Sequence, residues 1–180
     1  MMVPMTTTKF RIRQASPTDA PTLGHIELAT KLSCYSFLPE EKRAAMHPRQ
    51  WRQWMLNVAP FHHPQTPRRA FVAYDWNNIW GFAAVRHDSN FAGFGADMTG
   101  IFVLPKYQKL GAGRALLVQV ARWLAIDEIY TLTVDSYASG PGGDFFEHLG
   151  GRPIERWGDD EAWITYGFNN LREIVLHADE

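Results

Sequence analysis

Residues 108–114 read Gln-Lys-Leu-Gly-Ala-Gly-Arg, with a strand-like run ending at Pro105 before them and an apolar helical pattern after them. A glycine turn between strand and helix presents consecutive backbone N–H groups at a helix N-terminus. There the unpaired donors and the positive end of the helix dipole favour an anion. Two phosphate motifs fail on their residues. A P-loop needs Lys-Ser/Thr after its second glycine, and Gly113 is followed by Arg114-Ala115. A dinucleotide fingerprint needs a third glycine at position 116, which is Leu116, and a parallel sheet from the start. His62-His63 has no further ligands beside it, and closed metal sites take three or four, so no metal is expected. Cys34 is the one cysteine, which excludes a disulfide framework; it is expected as a buried small apolar residue.

The elements that must hold the turn follow from periodicity. Phe10 to Gln14 alternates apolar and polar, a short first strand. Ser16-Pro17-Thr18-Asp19 reads as a helix start, after which Leu23, Ile26 and Thr30 share one face. A second helix is expected from about Leu38 to Asn57. Trp51, Trp54, Met55 and Val58 recur along it at helical spacing, as core packing first and as a substrate-facing aromatic wall second. Pro60, Pro64 and Pro67 make a loop. Ala70 to Trp76 and Ile79 to His87 are strands joined at Asn77-Asn78, and Ala96 to Val103 is a further strand.

Beyond the turn, Leu116, Leu117, Val120, Ala121 and Leu124 form a stripe that packs a helix on the sheet. Ile129 to Val134 reads as a short buried strand, so strand, helix and strand make a right-handed parallel crossover. Asp144 to Leu149 is a short helix, and Arg152 to Trp157 with Ala162 to Phe168 a closing hairpin. The expected organisation is a loose tail over 1–8 and one mixed α/β domain over 9–180. The chain has 180 residues, 46% of them apolar, enough for a hydrophobic core. Its net charge of −1 gives no broad reason for nucleic-acid binding. No apolar run reaches the roughly 18 residues of a membrane span, and residues 1–8 lack the regions of a signal peptide. A cytoplasmic protein is expected, with neither nucleic-acid nor membrane partners and a homodimer as a possible assembly.

The Q-x-x-G-x-G pattern of residues 108–113, after Ile101-Phe102-Val103-Leu104-Pro105, resembles the Q/R-x-x-G-x-G/A acetyl-coenzyme A motif of the GNAT N-acetyltransferase superfamily. Phe145-Phe146-Glu147-His148-Leu149-Gly150-Gly151 resembles the family's later F-Y-E-R/K-L-G-G segment. The likeness covers about residues 9 to 168 and is strongest over 96–151. It implies an α/β (α+β) GNAT fold. That fold is a central mixed, mostly antiparallel sheet of about seven strands with about four helices, splayed between the fourth and fifth strands. It implies acetyl-coenzyme A as co-substrate. The pyrophosphate would be received by the turn of Gln108, Lys109, Leu110, Gly111, Ala112, Gly113 and Arg114. The pantetheine arm would lie along Ile101, Phe102 and Val103 like an added strand. Ser139 and Phe146 are the further cofactor positions. Gly100 is a candidate for the bulge often found in this strand.

The implied chemistry is direct transfer of acetyl to a primary amine of a small molecule or peptide. It asks for a neutral amine, a polarised carbonyl and a stabilised thiolate. A lysine-like amine is neutral in only about one molecule in 2,500 at pH 7, a deficit of about 4.6 kcal/mol. Asp97, eleven residues before Gln108, matches the place where some family members carry a glutamate base; an acid that merely caps the strand start is the plainer alternative. Asp135 is a second choice. If the strand alternates without a bulge, Asp97, Thr99, Ile101 and Val103 share one face. Many family members use a tyrosine in the later helix to meet the thiol, and here that position is Phe146, which cannot donate a proton. Tyr137 or a water is the expected substitute. Leu32 to Pro39, with Tyr35 and Phe37 as an apolar wall, and Gly158 to Glu161 are implied to border the acceptor. Asp159-Asp160-Glu161 would attract a cation there, or simply be solvated. A non-catalytic acetyl-coenzyme A sensor and a transferase of another short acyl group remain the alternatives.

Overall fold

In a computed structural model, residues 10–56 and 66–176 are described. Strand β1 (Arg11–Gln14) is followed by a short 3-10 turn, Pro17–Asp19, and helix α1 (Ala20–Cys34). Two short helices come next, α2 (Glu40–Ala44) and α3 (Trp51–Leu56). Strands β2 (Arg68–Tyr74), β3 (Ile79–His87) and β4 (Ala96–Val103) then lead into α4 (Ala112–Ile126). The chain closes through β5 (Leu132–Tyr137), α5 (Gly142–His148), β6 (Arg152–Trp157), β7 (Trp163–Phe168) and α6 (Leu171–Leu176). Val58, Pro60, His62, His63, Pro64 and the 1–8 tail lie outside the described residues.

All seven strands join one sheet in the order β1-β2-β3-β4-β5-β7-β6, antiparallel except at β4–β5. Strand alternation divides the core into two layers. On one face Val72, Phe82, Ala84 and Phe102 pack against Leu23 and Ile26 of α1 and Trp51 and Trp54 of α3. On the other, Val85, Met98, Leu132, Val134 and Tyr166 meet Leu116, Leu117, Val120 and Leu124 of α4, Phe146 of α5, and Leu171 and Ile174 of α6. The α4 stripe is fully buried as its spacing requires, each of its five residues at most 1% exposed. The fold is the mixed α/β sheet of the GNAT type.

Three expectations are corrected. The helix over 38–57 is two helices, because Pro48 removes a backbone donor and disfavours helix in the residue before it. Trp51 and Trp54 are nonetheless buried, as core packing requires. The fifth strand begins at Leu132 rather than Ile129. Glu128 turns left-handed (φ 56°), and the Ile129 N–H bonds back to the Leu124 carbonyl at 3.1 Å, so Ile129 closes the end of α4 instead of starting the strand. The C-terminal helix α6 was not anticipated. With it and the split second helix, the described residues hold six α-helices rather than about four.

Candidate active site

Strand β4 pairs with β5 through only three positions: Ala96 with Leu132, Asp97 with Thr133, and Met98 with Val134. Beyond Met98 the two strands part. On the β3 side Ala84 lies opposite Gly100 and Val85 opposite Met98, which leaves Thr99 as the extra residue of a bulge. Gly100 is required there, since an added Cβ would come 2.4 Å from the Phe102 ring. The bulge inverts the side-chain alternation. Met98 and, after it, Ile101 and Val103 all face the α4 layer, whereas Phe102 faces the α1 layer. Asp97 therefore does not share a face with Ile101 and Val103 as simple alternation predicts. It points to the α1 side, with Arg86 and Thr133 as neighbours.

The glycine turn is formed by two left-handed residues, Lys109 (φ 60°) and Gly111 (φ 88°). The first described bond of the α4 ladder is from the Ala115 N–H to the Gly111 carbonyl at 3.0 Å. The N–H groups of Ala112, Gly113 and Arg114 come before that ladder. Gly111 is needed for its backbone angle, as nothing lies within 4 Å of an added Cβ. At Gly113 space is tight, since an added Cβ would stand 3.1 Å from the Phe145 ring, which would have to give way slightly. The Gln108 side chain does not turn outward to an anion. Its Nε2 donates to the Val103 carbonyl at 2.9 Å, tying the turn to the end of β4. The Thr30 hydroxyl donates to the same carbonyl at 3.3 Å. Leu110 is exposed at the tip of the turn.

A cavity of about 1100 Å³ begins at Lys109, Gly111, Gly113 and Arg114 and passes the splayed edge from Thr99 to Val103. It continues to Lys31, Tyr35, Trp54, Arg68 and Trp163 on the α1 side. The splay thus makes a passage from one face of the sheet to the other. The Thr99 hydroxyl is buried on its wall without a hydrogen-bond partner, a polar group suited to pairing with a ligand. Midway stands Asp97, accepting from Arg86 Nε at 3.2 Å and from the Thr133 hydroxyl at 3.2 Å. Burial pushes its carboxyl above the usual carboxylate range; Arg86 and Thr133 pull it back, and Asp135 adds to the upward push. Asp135 sits mid-strand rather than at the strand end and accepts from the Thr165 hydroxyl at 2.6 Å. The Tyr35 hydroxyl is pushed up to about 12, chiefly by burial, and stays protonated. Cys34 is half-buried rather than buried, and burial raises its thiol too, so it is a poor nucleophile.

Toward α5, Phe146 is 3% exposed and lines the cavity. Tyr137 does not accompany it. With a period of two, Val134 and Ser136 face α5 while Asp135 and Tyr137 face α1. The Tyr137 ring packs between Tyr35 (4.9 Å) and Trp163 (4.1 Å), outside the cavity wall. Ser139 is exposed in the turn after β5 and does not line the cavity either. The hydroxyl beside Phe146 is that of Ser136, buried and on the wall, whose Oγ would stand 2.4 Å from a Cβ at Gly142. Nothing in the sequence singled it out, because the β5 boundary that sets its direction was misplaced by three residues. Phe37 is largely exposed and packs on Tyr35 and Tyr137, and Asp159 and Asp160 are exposed away from the cavity. Among the described residues no group of three or more His, Cys, Asp or Glu is placed to hold a metal ion. None of the described helices is long and apolar enough to cross a membrane.

Residues 66–150 match the family model described as an acetyltransferase (GNAT) domain. No protein of curated function matches the sequence. Among solved structures, the chain is similar to an acetyltransferase of the GNAT family from Desulfovibrio desulfuricans (18% identity, TM-score 0.64, covering 90% of this chain and 99% of that one). It is similar to the PaiA N-acetyltransferase from Thermoplasma acidophilum, solved in complex with coenzyme A (14%, 0.65, 88% and 98%). A ribosomal-protein-alanine N-acetyltransferase from Escherichia coli is also similar (20%, 0.59, 88% and 92%). At these identities the structural likeness speaks for the fold.

Proposed function

The chain carries a GNAT acetyltransferase domain, and from that premise we propose that it transfers an acetyl group from acetyl-coenzyme A directly to a primary amine of a small molecule or peptide. What carries this proposal is the continuity of one cavity. It joins an anion-receiving helix start on one face of the sheet to a half-buried carboxylate on the other, through the gap between β4 and β5.

The N–H groups over 109–114, with Lys109 and Arg114 at the cavity mouth, would receive the pyrophosphate; each charge-assisted hydrogen bond contributes roughly 1.5–3 kcal/mol. The parted edge over Ile101, Phe102 and Val103 would take the pantetheine arm. The Val103 carbonyl already holds two donors, so the free acceptors lie nearer the bulge. When bound, acetyl-coenzyme A supplies the thioester: a C–N bond forms, the C–S bond breaks, the amine loses one proton and the thiolate takes one. Asp97 accepts the amine proton, its raised pKa bringing it closer to neutrality than an ordinary aspartate. Ser136 gives the leaving sulfur a hydrogen bond that Phe146 cannot give.

A second possibility, a non-catalytic acetyl-coenzyme A sensor, is favoured by Phe146 alone. An amine panel assayed for free thiol with acetyl-coenzyme A separates the two. Thiol release with at least one amine, and its loss in Asp97→Asn with cofactor affinity kept, is the expected result. Tight cofactor binding with no release across the panel would select the sensor.

A further inference from the structure

Two carboxylates line the acceptor half of the cavity, and they differ in their partners. Asp97 of β4 is ion-paired with Arg86. Asp135 of β5 is exposed on the same wall and has no ion pair among the described residues. The cations of this half come from other elements. Lys31 and Arg49 are held at 2.6 and 2.8 Å by the fully buried Glu27, while Arg68 and Arg86 belong to β2 and β3. Of the residues that β5, β6 and β7 give to the wall, Asp135 alone is charged. It is also oriented. An indole N–H can only donate, so the bond from Trp157 Nε1 to the Thr165 hydroxyl at 3.1 Å makes that oxygen the acceptor. The Thr165 proton then goes to Asp135 Oδ1, 2.6 Å away, and Thr165 itself is buried. Asp135 Oδ2 has no hydrogen bond among the described residues. Trp157 stacks on Trp163 (5.4 Å, 11°), and both line the cavity beside this carboxylate.

We propose that Asp135, oriented by Thr165, is the subsite for a second cation on the acceptor, which is then a small molecule with two cationic groups. This rests on the assignment of Asp97 as the proton acceptor of the reacting amine. Asp97 is level with Thr133, and Asp135 lies two residues further along β5. One strand spacing across and two residues along put the two α-carbons about 8 Å apart. The second cation, an ammonium or guanidinium, therefore sits a short alkyl chain away from the reacting nitrogen. A carboxylate with one oxygen filled and the other open meets such a group through a charge-assisted hydrogen bond. Trp157, 41% exposed, offers its ring to the same cation. An acceptor with a carboxylate in that place would be repelled instead.

The test compares matched ligands by calorimetry on the enzyme saturated with coenzyme A. Cadaverine is set against pentanolamine, and agmatine against N-carbamoylputrescine. Each second member keeps the amine and the chain and loses the far charge. In at least one pair the dication should bind about tenfold or more tightly than its partner. Which pair shows the gain tells ammonium from guanidinium. The advantage should shrink to about twofold or less in Asp135→Asn and survive in Asp97→Asn, which separates this carboxylate from a general attraction of cations. Thr165→Val should reduce it and Thr165→Ser keep it. The singly charged partner's affinity should stay constant in Asp135→Asn and in both Thr165 variants, which a general loss of structure would not allow. Equal affinities in both pairs, including no binding by any member, overturn the subsite, as does an advantage that survives Asp135→Asn. An advantage left whole by Thr165→Val overturns the orienting role of that hydroxyl. Free-thiol release from acetyl-coenzyme A is measured on the same amines. Its absence beside a retained affinity advantage would remove the transferase function and leave the subsite standing.

Discussion

Asp97 is pulled in two directions, by burial and Asp135 toward the protonated form and by Arg86 and Thr133 toward the ionised one, with burial prevailing. A carboxylate that must be ionised to take a proton then gives a rate that falls as pH drops through a value above the usual 3.9 or so. Asp135→Asn removes a like charge and should move that acid limb to lower pH. Arg86→Gln removes the cation and should move it higher. The check is kcat against pH, with a saturating amine, for three proteins. The same raised pKa means that the folded state favours the neutral carboxyl. Its contribution to stability is present below the unfolded pKa and lost as pH rises through the folded one. Asp97→Asn should therefore keep or raise the melting temperature at pH 7 while it slows turnover. Ser136→Ala should lower kcat about 10- to 100-fold and leave the affinity for acetyl-coenzyme A unchanged, measured by steady-state kinetics beside direct binding. Asp97 could be picked out from its distance to Gln108, which survives any error in strand direction. Ser136 could not, because the direction of its side chain depends on where β5 ends and which helix covers it.

Among the elements, α1 is held to the chain after Pro48 by one acid. Glu27 is wholly buried and accepts from Lys31 Nζ, from the Arg49 backbone and guanidinium, and from the Trp51 indole, at 2.6–2.8 Å. Burying a carboxylate is costly unless its oxygens are filled, and here four donors fill them. Glu27→Ala should cost about 3–5 kcal/mol. That corresponds to a fall of about 10 °C in Tm on thermal unfolding, and α3 should detach from its place under β3. The α4 stripe was legible because three- and four-residue spacing along one helix needs no partner to be read. The break at Pro48, the closure of α4 by Ile129 and the existence of α6 were not. Each depends on where a segment docks. The role of Glu27 could not be read either, since two of its partners, Arg49 and Trp51, lie 22 and 24 positions away.

For the whole molecule, the two hairpins and the parallel crossover could be anticipated, and the family resemblance implied the divided sheet; the placing of β7 between β5 and β6 could not be read. The bulge was expected at Gly100 and its extra residue is Thr99, one position earlier; since one extra residue reverses every side chain beyond it, the face given to Asp97 relative to Ile101 and Val103 could not be fixed in advance. That division has a consequence for solvent. Alternate backbone groups from Thr99 to Val103 look across a gap in place of a neighbouring strand. Their amide protons should exchange with deuterium faster than those of β3, whose two edges are both paired, although both strands run through the middle of the sheet. Adding coenzyme A should slow exchange in β4 and in 109–114 together and leave β1 and β2 as they were. Peptide-resolved exchange would read this without any turnover. Unchanged protection in β4 would mean that the ligand does not lie along the gap. The middle of this sheet would thus hold an edge open to solvent, closed only when a ligand lies along it.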